Sequence, residues 1–279
     1  MSFDLEQYIS KPADKAPMIT LTGDPGIGKT SLAATFEKPI FIQAEAGMDA
    51  IPAEIRPKAF PRVTSVFPDG DVAKDDFSNL MRALQAVLKA PHGYKTLVID
   101  SLTSLGRILE EEILLQEPKK HLRTMTLAWG GFQKAYVVLA ERFRKIHDMC
   151  EKIRDEREMT IVYIAHSKTE VQNPPDCEPY SKYVLQLHKD SRSIFVDGVD
   201  ILAYMTLDLF TKGEKNDKVK KAVSTGQRIV RCTTNAQNDA KNRYDIEGDI
   251  PVAKGVNPFF DYVPSLMQYA AQAEEGEAE

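Results

Sequence analysis

Short, continuous apolar runs rich in β-branched residues alternate along the chain with longer segments whose apolar residues recur every three or four positions. MITLTG (18 to 23), PIFIQAE (39 to 45), TLVIDS (96 to 101) and TIVYIAH (160 to 166) are the short runs. They predict strands covered on both faces, the pattern of a buried parallel sheet rather than of one wetted on one side. GKTSLAATFE, FSNLMRALQAVLKA, residues 102 to 115 and a long stretch from about 132 to 157 have the helical period, and PHG closes the second of these. A proline-rich stretch (52 to 68) separates the second strand from its following helix. Strands alternating with helices predict an α/β fold of three layers, αβα, around a mostly parallel sheet. Late in the chain, DILAYMTLDLF and GQRIVRCTT flank the lysine-rich TKGEKNDKVKK, which predicts an antiparallel β-hairpin extending one edge. Between them and the fourth strand, Ser167 to Asp190 carries Pro174, Pro175 and Pro179 among polar residues and reads as a long loop, of the kind that is functional or mobile.

Composition narrows the class. The 279 residues are 43% hydrophobic and 28% charged, enough to bury a sizeable core in one large domain or two small ones. No run approaches the roughly 18 apolar residues that span a bilayer, and MSFDLEQYIS lacks the form of a signal peptide. We therefore expect a cytoplasmic protein with no membrane partner, in the host cytoplasm if phage-encoded. Cys150, Cys177 and Cys232 are far apart with no CxxC pair, which argues against a disulfide framework or a zinc site. The organisation expected is an N-terminal arm (1 to 16), a core (17 to 263), and a C-terminal helix with an acidic tail (264 to 279). Against 41 Asp+Glu the chain sets 36 Lys+Arg, a net charge of −5. That excludes a uniformly basic nucleic-acid coat. The acidity is nonetheless uneven: Glu274, Glu275, Glu277 and Glu279 crowd the tail, while basic residues gather at 119 to 123, at 212 to 221 and in KNR (241 to 243).

The chemistry lies in one motif. Gly23-Asp24-Pro25-Gly26-Ile27-Gly28-Lys29-Thr30, followed by Ser31, satisfies G-x-x-x-x-G-K-[ST] between a predicted strand and a predicted helix, as a phosphate-binding loop requires. Glycines let successive N–H groups converge on phosphate, Lys29 would bridge the β- and γ-phosphates, and the Thr30 hydroxyl would bind Mg²⁺. A dinucleotide-type glycine fingerprint fails because Ser31 stands where its third glycine would be.

Three strand ends offer the remaining groups. Asp100 closes TLVID as the expected second Mg²⁺ anchor, and Ser101 follows it, so no adjacent glutamate can activate water. Glu45, at the end of the next strand after the phosphate loop, should emerge on the same sheet edge as a candidate general base. His166 ends the fourth strand there, placed to donate to the γ-phosphate and report hydrolysis to the adjoining segment. No guanine-reading NKxD is present, which weakens a GTPase.

Read in order, GDPGIGKT, FIQAEAGMD, LVIDSLTSL and IVYIAHSKTE resemble the phosphate loop, strand-end glutamate, Mg²⁺-anchoring strand and sensor strand of RecA-type recombinase ATPases. They are most similar to phage RecA-like nucleotide-binding proteins associated with single-strand annealing. The resemblance covers roughly residues 17 to 250 and implies a RecA-like P-loop NTPase core, with ATP as substrate and Mg²⁺ as cofactor. It further implies a homo-oligomer, filament or ring, whose ATP sites are shared between subunits, and two DNA-facing loops at about 116 to 131 and 167 to 190. Lys119, Lys120 and Arg123 fall in the first; Lys168, Lys182 and Lys189 fall in or beside the second. Tyr180, Tyr183 and Trp129 are candidates to stack on unpaired bases, although Trp129 is as well suited to packing on a neighbouring helix. DAKNRYD (239 to 245) resembles the segment that presents basic residues, here Lys241 and Arg243, to a neighbour's γ-phosphate. His166 departs from the family's usual glutamine, and the chain shows no separate DNA-binding domain, which favours annealing, or assistance to a single-strand-binding or annealing partner, over strand exchange. The expected function is a DNA-stimulated ATPase that binds single-stranded DNA. A nucleotide-switched regulatory ATPase acting on a protein partner, or a helicase-like motor, shares the same core.

Overall fold

In the computed structural model, residues 14–64, 75–117, 119, 124–212 and 221–269 are described. Strand β1 (Met18–Gly23) leads through the phosphate loop into helix α1 (Lys29–Ala33) and strand β2 (Pro39–Gln43); β3 (Lys58–Ala59), α2 (Asp76–Lys89), β4 (Thr96–Asp100) and α3 (Leu102–Leu115) follow. The long α4 (Lys134–Arg157) precedes β5 (Thr160–Gln172), β6 (Tyr180–Leu185), α5 (Lys189–Asp197), β7 (Ile201–Lys212), β8 (Lys221–Arg231) and β9 (Asp249–Pro251). Eight strands lie in the order β3-β2-β4-β5-β1-β7-β8-β9, and the ninth, β6, pairs with β5. Strands β3 through β7 on this path run parallel, whereas β8 and β9 are antiparallel, so the late hairpin does extend one edge.

Both faces of the central strands are buried, which is why their sequences are continuously apolar. Alternate residues go to opposite layers. Ile40, Ile42, Leu97, Ile99, Ile161 and Tyr163 join a core with α2, α3, α4 and α5. Ile19, Leu21, Phe41, Val98, Val162 and Ile164 join a second core with α1, Phe36, Phe259 and Val263. The result is the expected three-layer α/β P-loop NTPase fold.

Two expectations about local structure are corrected. GKTSLAATFE is not helical throughout: α1 ends at Ala33, and the Thr35 hydroxyl donates to the Leu32 carbonyl at 2.7 Å, capturing an acceptor of the last helical turn. The segment from Ser167 to Asp190 is not a structureless loop. β5 continues to Gln172 and pairs antiparallel with β6, from Ser167 opposite Leu185 to Gln172 opposite Tyr180, before α5 begins at Lys189. Most residues of this ribbon's outer half are exposed or half-buried, so no apolar alternation marked it; backbone pairing, with the ion pairs of Glu170 to Arg192 and of Lys182 to Asp239, holds it. Its base is tied down where the Tyr183 amide donates to the Gln237 carbonyl (2.7 Å) and the Asp239 amide to the Tyr183 carbonyl (2.9 Å).

Candidate nucleotide site

The carboxyl ends of β1, β2 and β4 meet the middle of β5 at one edge. Gly23 lies beside His166 in the β1–β5 ladder, and Gln43 beside Asp100 in the β2–β4 ladder. The phosphate loop starts here because Gly23 takes φ +152°, a conformation that L side chains rarely adopt. Gly26 and Gly28 also have positive φ, 77° and 106°. Lys29 is buried, its ammonium donating to the carbonyls of Gly23 (2.9 Å) and Asp24 (2.8 Å) and lying 3.5 Å from His166 Nδ1. Burial lowers its pKa to about 8, against the opposing pull of Asp100, Glu45 and Asp24. An anionic phosphate chain would favour the charged form.

Asp100 is buried, and burial raises its pKa to about 6. The Thr30 hydroxyl donates to its Oδ2 at 2.8 Å, while Oδ1 is buried without a hydrogen-bond partner. A Cβ at Gly47 would come within 3.5 Å of both Asp100 Oδ2 and Thr30 Oγ1, so glycine leaves space beside these two oxygens. Two hard oxygen donors, an unsatisfied carboxylate lobe and open space suit Mg²⁺, which takes few protein ligands and keeps the rest for water and phosphate. Thr30 and Asp100 are the residues that would hold it.

Glu45 sits two residues past β2. Its Oε2 accepts from the Ser104 hydroxyl and lies 3.5 Å from His166 Nε2. The His166 interaction, helped by Ser104 and Ser101, holds its pKa down at about 2 despite partial burial, so the carboxylate is ionised at neutral pH. With Nδ1 accepting from the Lys29 ammonium, the ring proton of His166 belongs on Nε2, facing Glu45. His166 therefore bridges the lysine and the glutamate.

The first turn of α3 ties these parts together in a way the motifs alone did not reveal. Ser101 caps the helix by accepting from the Ser104 amide (3.3 Å), Thr103 accepts from the His166 amide (2.9 Å), and Ser104 donates to Glu45. Ser167, next to His166, donates to Asp24 in the phosphate loop at 2.8 Å. Nothing in the sequence marked the Thr103 and Ser104 hydroxyls as partners of residues from two other strands.

The profile of the AAA domain family matches residues 15–244. The chain belongs to that family. It is accordingly a nucleotide-binding P-loop ATPase domain of the AAA type. No curated protein matches the chain. Among the described residues of this AAA domain, no helix is long and apolar enough to cross a membrane.

The remaining candidates lie elsewhere on the AAA domain. Lys241 and Arg243 are at the opposite, amino-terminal edge of the sheet: Lys241 bridges Leu202 and donates to the Asp197 carbonyl (2.7 Å), and Arg243 pairs with Asp200 at 2.9 Å. They cannot reach the phosphate loop from there. Lys168 is an exposed residue of the β5–β6 ribbon, Lys189 is exposed at the start of α5, and Lys119 is exposed beyond α3. Lys182 instead pairs with Asp239 at 2.7 Å. Tyr183 stacks on Tyr204 with ring centroids 5.2 Å apart. Trp129 packs on α3, its indole N–H donating to the Ile113 carbonyl at 3.1 Å. Lys120, Arg123 and the acidic tail from 274 to 279 lie outside the described residues.

Proposed function

We propose that this AAA-type ATPase hydrolyses ATP with Glu45 as general base and His166 as γ-phosphate sensor, and that it binds single-stranded DNA as an oligomer that promotes annealing in recombination. The observation that carries this reading is the continuity of β5. One strand passes from His166 and Ser167, which contact Lys29, Glu45 and Asp24, directly into an exposed ribbon bearing Lys168 and Tyr183. A change at the γ-phosphate end would move a rigid, hydrogen-bonded ladder rather than a slack loop. The likeness of its motifs to RecA-type recombinases supports the choice of partner. Lys241 and Arg243, remote from their own loop, suit a role at a neighbouring subunit's γ-phosphate, where a cation stabilises charge developing in the transition state.

A second reading, a nucleotide-switched ATPase acting on a protein partner, is favoured by exposed apolar residues around the start of α4: Leu127, Phe132 (94% exposed) and Val137. One experiment separates the two: ATP turnover and assembly size measured with and without single-stranded DNA, with Lys29→Ala as the inactive control. DNA-stimulated turnover, and DNA binding that weakens steeply with salt, support the recombination reading. If polynucleotide alters neither turnover nor assembly, that reading fails and the protein-partner reading stands.

A further inference from the structure

The phosphate loop has a second cation beside it that no motif marks. In the β7–β8 ladder Leu207 is opposite Arg228, and in the β1–β7 ladder Met205 is beside Gly23. Leu207 is therefore two residues beyond the end of β1, so Arg228 stands past the carboxyl edge of the sheet. A Cβ built on Gly28 would lie 3.5 Å from Arg228 Cζ and Nη1 and 3.6 Å from Nε. The guanidinium thus rests against the loop residue that caps α1 and precedes Lys29.

The backbone of Arg228 is fixed while its head group is uncommitted. The Val252 amide donates to the Arg228 carbonyl at 2.9 Å, and the next two residues, Ile229 and Val230, are buried. Among the described residues the Arg228 guanidinium makes no ion pair and no hydrogen bond, whereas Arg231, on the same strand, donates through Nε to both oxygens of Asp249 at 3.0 and 3.1 Å. The exposed side chain thus lies against a loop whose motif binds anions, with its cation free to take a ligand there.

The approach direction selects the part of the nucleotide. Glu45 and His166 come from β2 and β5, on one flank of β1, and define the γ-phosphate end. Arg228 comes from β8, on the other flank. We propose that Arg228 is a nucleotide-binding residue acting within its own subunit, its planar guanidinium engaging the α- and β-phosphates across the loop from Lys29. This rests on the ATPase reading of the phosphate loop.

The test is calorimetric titration of the full chain with Mg·ADP and with Mg·AMP-PNP, with pyrophosphate as a competitor. Removing a charge-assisted phosphate contact at a solvent-accessible site should cost roughly tenfold in affinity. Arg228→Ala should weaken ADP, AMP-PNP and pyrophosphate together by about that factor, Arg228→Lys should recover part of it, and the melting temperature without nucleotide should stay at the wild-type value. Unchanged affinity for all three probes in Arg228→Ala overturns the proposal. So does a loss confined to AMP-PNP, which would put the side chain at the γ-phosphate, and so does a loss that spares pyrophosphate, which would put it on the nucleoside. A wild-type chain that binds neither nucleotide would refute the ATPase reading instead, a result separable from all of these.

Discussion

Gly23 and Gly26 occupy the same phosphate loop with positive φ, yet the structure predicts different consequences for replacing each with alanine. A Cβ at Gly23 would sit 2.2 Å from the Met205 carbonyl oxygen, where ordinary contact begins at 3.4 Å, so β1 and β7 would have to part by about 1.2 Å (3.4 − 2.2) at the last pair of their ladder. Overpacking of that kind costs about 1–3 kcal/mol, and forcing a side chain into glycine-only backbone adds about 1–3 kcal/mol, giving roughly 4 kcal/mol in the middle of the range. At Gly26 a Cβ meets nothing within 4 Å, so Gly26→Ala carries only the left-handed backbone term, about 1–2 kcal/mol. For a domain of this size each kcal/mol moves the melting temperature by about 2–4 °C. Gly23→Ala should therefore melt on the order of 10 °C below wild type, and Gly26→Ala about 4 °C below. Both are measured without nucleotide by calorimetry and by urea midpoint. Equal losses in the two variants, or a wild-type melting temperature for Gly23→Ala, would refute the reasoning, because the β1–β7 contact is the main difference invoked.

Glu45→Gln keeps an oxygen for the Ser104 hydroxyl but removes the base; turnover should fall by about 10²–10⁴ while ATP affinity by calorimetry is retained, and turnover above a tenth of wild type would reassign the role. Stripping Mg²⁺ with EDTA should abolish hydrolysis, with recovery on adding Mg²⁺; in Asp100→Asn recovery should need far more metal, and an unchanged Mg²⁺ requirement would remove Asp100 from the metal site. Arg142 and Glu112 form an ion pair at 2.5 Å with only 12% and 8% of their side chains exposed, so Arg142→Met should destabilise by about 3 kcal/mol in urea denaturation, and a loss under 1 kcal/mol would mean Glu112 is satisfied without it. Burial pushes the thiols of Cys150 and Cys232 up to about 12, while Cys177 is exposed. At pH 8 roughly one buried thiol in ten thousand is ionised, so iodoacetamide should label Cys177 alone in the native protein, as mass spectrometry would read it; rapid labelling of Cys150 would contradict the burial.

The central strands and the phosphate loop were legible in the sequence because their determinants are local. β1 falls on MITLTG and β4 ends at Asp100 as the apolar runs indicated, and the glycine spacing that shapes the loop is contiguous in the chain. Helix α3 and most of α4 likewise follow from apolar periodicity. The β5–β6 ribbon was missed for the converse reason: it is held by inter-strand hydrogen bonds, the two backbone bonds between Tyr183 and the 237 to 239 segment, and ion pairs of Glu170 and Lys182 with residues distant in the chain, none of which leaves an apolar period. β9, with three residues, and α5, with nine, were too short to register.

Residue types at strand ends announced Asp100, Glu45 and His166, but not their partners. That Ser104 rather than solvent meets Glu45, that Thr103 meets the His166 backbone, and that Arg228 rests against Gly28 depends on which strands neighbour one another. The strand order β2-β4-β5-β1-β7-β8 sets those neighbours. The sequence by itself determined the chemistry available: a phosphate-loop motif, with an aspartate, a glutamate and a histidine at strand ends, each placed by short-range spacing. Tertiary structure alone decided which of those groups share a few ångströms, which lysines are already paired, as Lys182 is with Asp239, and that Lys241 and Arg243 stand at the far edge of the sheet. The physical reason is that strand order and register arise from burying both faces of the sheet at once, a sum over the whole chain that no local segment encodes.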